Sequence, residues 1–250
     1  MMNKINMDTF YDATMNVINE LEANEMDHLL EAAKICAESM MNDGVVHIFG
    51  SGHSVGFGAE MAGRPGSLVP FHMIESSDFV TKGFYSLEEF KDPNNVFERR
   101  PGIATKLYEI HDIRPQDVFI VISNSGINGL VIDLAIKAKE VGHKVIIITS
   151  MQHTLAEPSR HPSGKKLYEL GDVVIDNCGP RGDAMLETGG IEKICSISSI
   201  AGIYIGQGLA TEICRIMDEN NYDAPLLYSE EVEAYAEHNV KIKEKYKGRV

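Results

Sequence analysis

Val45-Val46-His47-Ile48-Phe49-Gly50-Ser51-Gly52-His53-Ser54-Val55-Gly56 is the stretch on which the fold turns. An apolar, largely β-branched run ends in two glycines, two serines and a histidine, then gives way to the helical pattern Gly58-Ala59-Glu60-Met61-Ala62. That order reads as a buried strand, a tight loop and a helix start. In an open α/β sheet, ligands sit outside the carboxyl ends of the parallel strands. A near echo follows at Val118-Phe119-Ile120-Val121-Ile122, then Ser123-Asn124-Ser125-Gly126, with a helix from Asn128. Two hydroxyl-rich loops that both open helices point to one anionic group held between them. A helix N-terminus supplies unpaired N–H groups and the positive end of the macrodipole. Small residues allow close backbone approach, and serine adds donors. Phosphate contacts are therefore expected from Ser51, Gly52, His53 and Ser54 in the first loop, and from Ser123, Asn124, Ser125 and Asn128 in the second. The plainer reading is two ordinary βα turns whose serines serve only as N-caps.

Outward from this stretch, apolar faces mark helices over 7–42, joined near Ala23-Asn24-Glu25. Strands are expected at 68–74, 118–122, 144–149 and 170–176, a helix at 128–141, a long buried helix at 191–217 and a charged C-terminal helix at 229–247. Segment 79–111 is the least regular, as lids and binding loops often are. Strands alternating with helices imply a parallel sheet with right-handed crossovers. The expected architecture is a single doubly wound α/β domain over 1–250, with N-terminal helices to 43, a core over 44–217 and a helical tail from 218.

The chain has 250 residues, 44% of them hydrophobic and 24% charged, an ordinary globular balance. A net charge of −14 argues against nucleic-acid or anionic-membrane partners. An anionic ligand must then be held by local dipoles and donors. Cys36, Cys178, Cys195 and Cys214 show no C-x-x-C pairing and read as reduced thiols. Met1 to Glu20 holds no unbroken apolar core, and the apolar region 191–217 is interrupted by Glu192, Lys193, Gln207, Glu212 and Arg215. No signal peptide and no membrane span are expected, and the expected location is cytoplasmic.

The two serine loops resemble the phosphosugar loops of sugar isomerase (SIS) domains. Ser159-Arg160-His161-Pro162-Ser163-Gly164-Lys165, Gly182-Asp183-Ala184 and Glu237-His238-Asn239 resemble a single-domain subgroup long catalogued as uncharacterised. The resemblance spans nearly the whole chain. It implies a flavodoxin-like three-layer αβα sandwich around a five-stranded parallel sheet. It also implies a homodimer or homotetramer with ligand sites near subunit interfaces, and a sugar-phosphate ligand. The activity it implies first is aldose–ketose isomerisation through an enediol. Phosphosugar lyase or deglycase chemistry and non-catalytic phosphosugar sensing are the alternatives within the family.

Isomerisation needs a base that moves a proton between C1 and C2. Glu75 directly follows the second strand and is the first candidate; Glu60, on the helix after the first loop, is the next. The family's heptose-phosphate isomerases carry a glutamate about one turn further on, where this sequence has Arg64. Glu187 is a third candidate, expected at the start of the last long helix. His161 is a candidate for ring opening or phosphate contact, and His238 for reaching a neighbouring subunit's site. No histidine–carboxylate set has dedicated zinc-ligand spacing, so neither a required metal nor a cofactor is expected. Gly50-x-Gly52-x-x-x-Gly56 imitates a dinucleotide fingerprint, but its spacing differs and hydroxyls stand where pyrophosphate needs bare backbone.

Overall fold

The computed structural model describes residues 5–190 and 192–250. Its main sheet has the order β2-β1-β3-β4-β5, formed by β1 (Val46–Gly50), β2 (Phe71–Ile74), β3 (Val118–Ile122), β4 (Lys144–Thr149) and β5 (Val173–Asp176). All four neighbour pairs are parallel. The strands read as unbroken apolar runs because helices cover both faces. Val46, Ile48, Ile120, Ile146 and Ile148 face one side. They pack there against α2 (Met26–Met41), α3 (Val55–Met61) and α9 (Ser198–Glu219). Phe49, Phe119, Val121, Val145 and Ile147 face the other side, against α6 (Ala104–Glu109) and α7 (Gly129–Val141). This is the three-layer αβα arrangement expected from the sequence.

Helix α1 (Met7–Asn24) precedes α2, so the break expected near Ala23-Asn24-Glu25 falls at Glu25. A capping box starts α1: the Asn6 side chain accepts the Thr9 N–H at 2.9 Å. Segment 79–111 holds only short pieces: α4 (Asp78–Thr81), α5 (Leu87–Phe90), a 3₁₀ turn at Phe97–Arg99, and α6. Helix α8 (Met151–Ala156) follows β4.

Three expectations need correction. The long helix expected over 191–217 starts later, at Ser198, as α9; ahead of it stands an antiparallel hairpin, β6 (Ala184–Glu187) with β7 (Lys193–Ser196). Ile191 lies outside the described residues, as do residues 1–4 of the expected leaderless start. The apolar spacing of α9 continued backwards through Ile194, and a two-stranded arm has too few alternations to announce itself. Glu187 therefore stands on a strand of the arm and not at a helix start. Second, two strands start three residues late: β2 begins at Phe71, with Leu68 in an isolated antiparallel bridge to Leu226, and β5 begins at Val173, with Leu170 in a 3₁₀ turn. Third, the C-terminal helix α10 spans Ala236–Lys245, after a 3₁₀ turn at Glu233–Tyr235.

The order 2-1-3-4-5 puts the topological switch point between β1 and β3, the strands that carry the two serine loops. Among the described residues, no helix is long and apolar enough to cross a membrane.

Candidate functional site

The first loop turns sharply out of β1. Gly50 has no room for a side chain, since a Cβ there would lie 2.7 Å from the Ser54 carbonyl oxygen. Gly52 opens the 3₁₀ turn Gly52–Ser54 with φ +60°, a conformation that favours glycine. The Ser54 N–H bonds back to the Ser51 carbonyl at 3.2 Å. Neither Ser51 nor Ser54 caps a helix through its side chain. Among the described residues, the hydroxyls of Ser51, Ser54 and Ser125 have no hydrogen-bond partner in the protein. The reading of these serines as mere caps therefore fails at Ser51 and Ser54.

In the second loop, Ser123 is buried and its Oγ accepts the Gly126 N–H at 3.2 Å, so its side chain shapes the loop. The Asn124 side-chain oxygen accepts a 2.9 Å hydrogen bond from Asn177 Nδ2. Asn128 begins α7 without capping it. Its Nδ2 donates to Glu98 Oε1 at 3.2 Å, while its Oδ1 accepts from the Arg160 guanidinium at 2.8 Å.

Two hollows flank the first loop. One, of about 400 Å³, is lined by Ser51, Gly52, Glu75, Ser77, Phe97 and Glu98 among others. The other is a slot of about 40 Å³ whose walls include His53, Ser54, Asn124, Asn177, Ser199 and Ile203. The structure thus brings Ser51, Gly52 and Glu75 together in the first hollow, and His53, Ser54 and Asn124 in the second. Glu75 accepts a 2.9 Å hydrogen bond from the Ser77 hydroxyl, and its own N–H donates to Asp78 Oδ2 at 2.8 Å.

The other candidates lie elsewhere. Glu60 pairs with Arg64 and accepts from Gln207 Nε2 at 3.0 Å, in a separate hollow with Gly66 and Ser67. Arg64 neutralises it. Glu187 is exposed and pairs with Lys193 across the arm at 2.8 Å. His161 holds Asp133 of α7 through Nε2 at 2.8 Å and the Ser163 hydroxyl through Nδ1 at 2.7 Å. It pins the 159–165 loop to α7. His238 bonds the Leu226 carbonyl at 2.9 Å and stacks on Tyr228, beside the bridge that precedes β2.

Three residues at these hollows were not singled out from the sequence: Glu98, Asn177 and Ser199. Asn177 directly follows β5, and that position was a usable signal, as it was for Glu75. Glu98 lies in an irregular segment whose path no periodicity foretells.

Behind β2 runs a buried polar array. His47 Nδ1 lies 2.9 Å from His72 Nδ1, and His47 Nε2 lies 3.1 Å from Asp117 Oδ2. The His72 and His111 rings are 5.0 Å apart, and His111 Nε2 is 3.4 Å from Asp78 Oδ2. Both carboxylate oxygens of Asp117 also accept from the Arg249 guanidinium, at 2.8 and 2.7 Å. Burial opposes ionisation of Asp117, yet hydrogen bonds from His47, the Arg114 N–H, Arg249 and the Val45 N–H outweigh it and hold the carboxyl down to about 2. Burial, together with neighbouring His47 and His111, pushes His72 down to about 3. Burial also lowers His47, against the pull of Asp117. Asp78, which receives the Glu75 N–H, is itself lowered: its desolvation is overcome by His111 and that N–H.

A family model for the SIS domain matches residues 9–150. The UPF0309 protein lmo0025 of Listeria monocytogenes serovar 1/2a is 35% identical over 244 residues, which covers 97% of each chain. This chain belongs to the SIS domain family. Its fold is similar to that of phosphoheptose isomerase GmhA from Neisseria gonorrhoeae, with a TM-score of 0.55 at 18% identity over 83% of this chain and 96% of that one. It is also similar to the Vibrio vulnificus NanR protein complexed with ManNAc-6P, with a TM-score of 0.50 at 12% identity over 96% of this chain and 67% of that one.

Proposed function

We propose that this protein binds a sugar phosphate at the switch point and isomerises it between aldose and ketose. The observation that carries the reading is the set of unspent hydroxyls on Ser51, Ser54 and Ser125, at the ends of the two strands where an α/β sheet places its ligand. Three side chains of the second loop are engaged instead: Ser123 with Gly126, Asn124 with Asn177, Asn128 with Arg160 and Glu98. Ser51 borders the larger hollow and Ser54 the slot, and hydroxyls with no protein partner at the strand ends are free to donate to a ligand. The structural neighbours named as a phosphoheptose isomerase and as a complex with ManNAc-6P support the same ligand class.

In this reading the phosphate accepts hydrogen bonds from the three hydroxyls and from N–H groups of the second loop. With the phosphate anchored, the sugar's C1–C2 end extends into the hollow where Glu75 lies. The Glu75 carboxylate removes the C2 proton of the aldose and returns it to C1, while a proton moves from the C2 hydroxyl to the C1 oxygen. Atoms and charge balance through the enediol, and no external reductant or oxidant is needed. Anchoring one end of the substrate to orient the other is where positioning contributes most.

The working unit in this reading is a homo-oligomer acting in the cytoplasm. On α9, Ile200, Ile203 and Tyr204 are 36%, 39% and 37% exposed, an apolar stripe that borders the slot through Ile203. A monomer in sedimentation at micromolar concentration counts against this part.

The test of the function is a calorimetric titration with a panel of aldose phosphates in D₂O buffer, followed by NMR of the ligands that bind. Deuterium entering C2 supports isomerisation. Binding with no exchange replaces the enzyme with a phosphosugar sensor, and no binding at all removes the proposal.

A further inference from the structure

Strand β2 is an edge strand, and a cavity of about 580 Å³ lies against it on the side away from β1. No residue of the two serine loops lines this cavity. Its walls are mostly apolar, with Val69, Phe71, Met73, Leu227 and Val250 among them. Such a size and lining suit a small molecule. Three of the polar side chains on the wall already have partners. Ser67 Oγ donates to the Arg64 carbonyl at 2.7 Å, Lys243 pairs with Glu230, and Lys247 pairs with Glu244 at 3.1 Å. The remaining one is His72, whose Nε2 makes no hydrogen bond and is not sealed from solvent. His111 packs against its ring with centroids 5.0 Å apart, and no hydrogen bond joins the two.

The partners of His72 fix its tautomer. Asp117 is ionised and only accepts, so the His47 nitrogen facing it, Nε2, carries a proton. Burial keeps His47 neutral, which leaves its Nδ1 bare. The 2.9 Å contact between the two Nδ1 atoms then needs its proton on His72, and His72 Nε2 is left as a bare acceptor. The two nitrogens lie on opposite sides of the ring. With Nδ1 aimed at His47, its partner in register on β1, Nε2 is aimed over the free edge of the sheet, where the cavity lies. Two successive donations toward Asp117 push electron density onto this nitrogen and strengthen it as an acceptor. A strong acceptor in an apolar wall favours a ligand with one good donor and an otherwise apolar body. A carboxylate or phosphate would oppose lone pair to lone pair. We propose that this cavity is a second ligand site, separate from the serine loops, for an uncharged, largely apolar hydroxyl compound of the phenol class, whose O–H donates to His72 Nε2.

The experiment compares p-cresol, 4-methylanisole and 4-methylbenzoate by calorimetric titration at neutral pH. p-Cresol is expected to bind about five-fold or more tightly than 4-methylanisole, which keeps the apolar body but has no donor. In His72→Phe that advantage should vanish, whereas in Ser54→Ala/Ser125→Ala it should persist. A second measurement needs no variant: nitrogen NMR of the unaltered protein with labelled histidine. His72 Nε2 should show the signal of an unprotonated ring nitrogen and shift when p-cresol is added. Equal affinity for p-cresol and 4-methylanisole overturns the inference, as does an advantage that survives His72→Phe. A protonated His72 Nε2, or one that p-cresol leaves unmoved, overturns it as well. Tighter binding of 4-methylbenzoate would replace it with an anion site at Lys243 and Lys247. None of these outcomes bears on sugar-phosphate binding at the serine loops.

Discussion

The serine loops at the carboxyl ends of β1 and β3 and the histidine–aspartate array behind β2 are both polar regions within one small fold, yet they are built in opposite ways. In the array the central carboxylate is fully engaged: Asp117 receives bonds from Val45, Arg114, His47 and Arg249. In the loops three hydroxyls have no partner, and two carboxylates nearby lack cations. A satisfied buried network stiffens and specifies the fold, whereas an unsatisfied one costs stability and is kept where something else will complete it. Asp78 links the two regions: it accepts the Glu75 N–H on one side and faces His111 on the other. Changes in one region should therefore read out as function, and changes in the other as stability.

The largest separation is expected at Glu75. Glu75→Gln should lower C2 exchange by about two to four orders of magnitude, the usual scale for a lost general base, with sugar-phosphate affinity nearly unchanged. Unaltered exchange would move the base to Glu98. At the other pole, Asp117→Asn should cost about 3–5 kcal/mol in denaturant unfolding, because it leaves the buried Arg249 guanidinium with only the half-exposed Asp112 carboxylate, 3.7 Å away. Affinity per folded molecule should stay within about two-fold; a larger loss would mean that the array is part of the site.

Acid offers a third separation. His72 is held down to about 3 in the fold, against about 6.5 in an unfolded chain. The unfolded state thus binds more protons in that window, and the stability contributed by neutral His72 is complete above about pH 6.5 and lost as pH falls toward 3. His47 is lowered in the same sense, and the lowered Asp117 and Asp78 add their losses below about pH 4. Unfolding midpoints followed from pH 7 to about pH 4 should fall steadily, and replacing His72 with Gln should flatten the slope. A pH-independent midpoint would contradict the buried, neutral histidines.

The smallest effect belongs to the loops themselves. Ser54→Ala with Ser125→Ala should weaken sugar-phosphate binding by about 1–3 kcal/mol in total, the scale of hydrogen bonds to a charged group. It should leave the unfolding midpoint almost unchanged, since neither hydroxyl bonds to the protein. Destabilisation without loss of binding would reverse the contrast between the two regions.

Local pattern by itself determined the sheet and its ligand end. The runs Val46–Gly50, Val118–Ile122 and Lys144–Thr149 are apolar almost throughout because both faces are covered, so their limits could be read directly. The serine loops after β1 and β3 were legible for the same reason: a strand end followed by small residues and a helix is a local signal. Only the tertiary structure decided which carboxylates meet those loops. Glu60 sits on the right helix but is turned to Arg64 and Gln207, and Glu187 stands on an arm that the apolar spacing of α9 concealed. Glu98 arrives from an irregular segment and meets Asn128 across thirty positions of chain. The physical reason is that burial and hydrogen bonding along a strand depend on near neighbours, while the pairing of Glu98 with Asn128, or of Asp117 with Arg249 across 132 positions, depends on how distant segments close on one another.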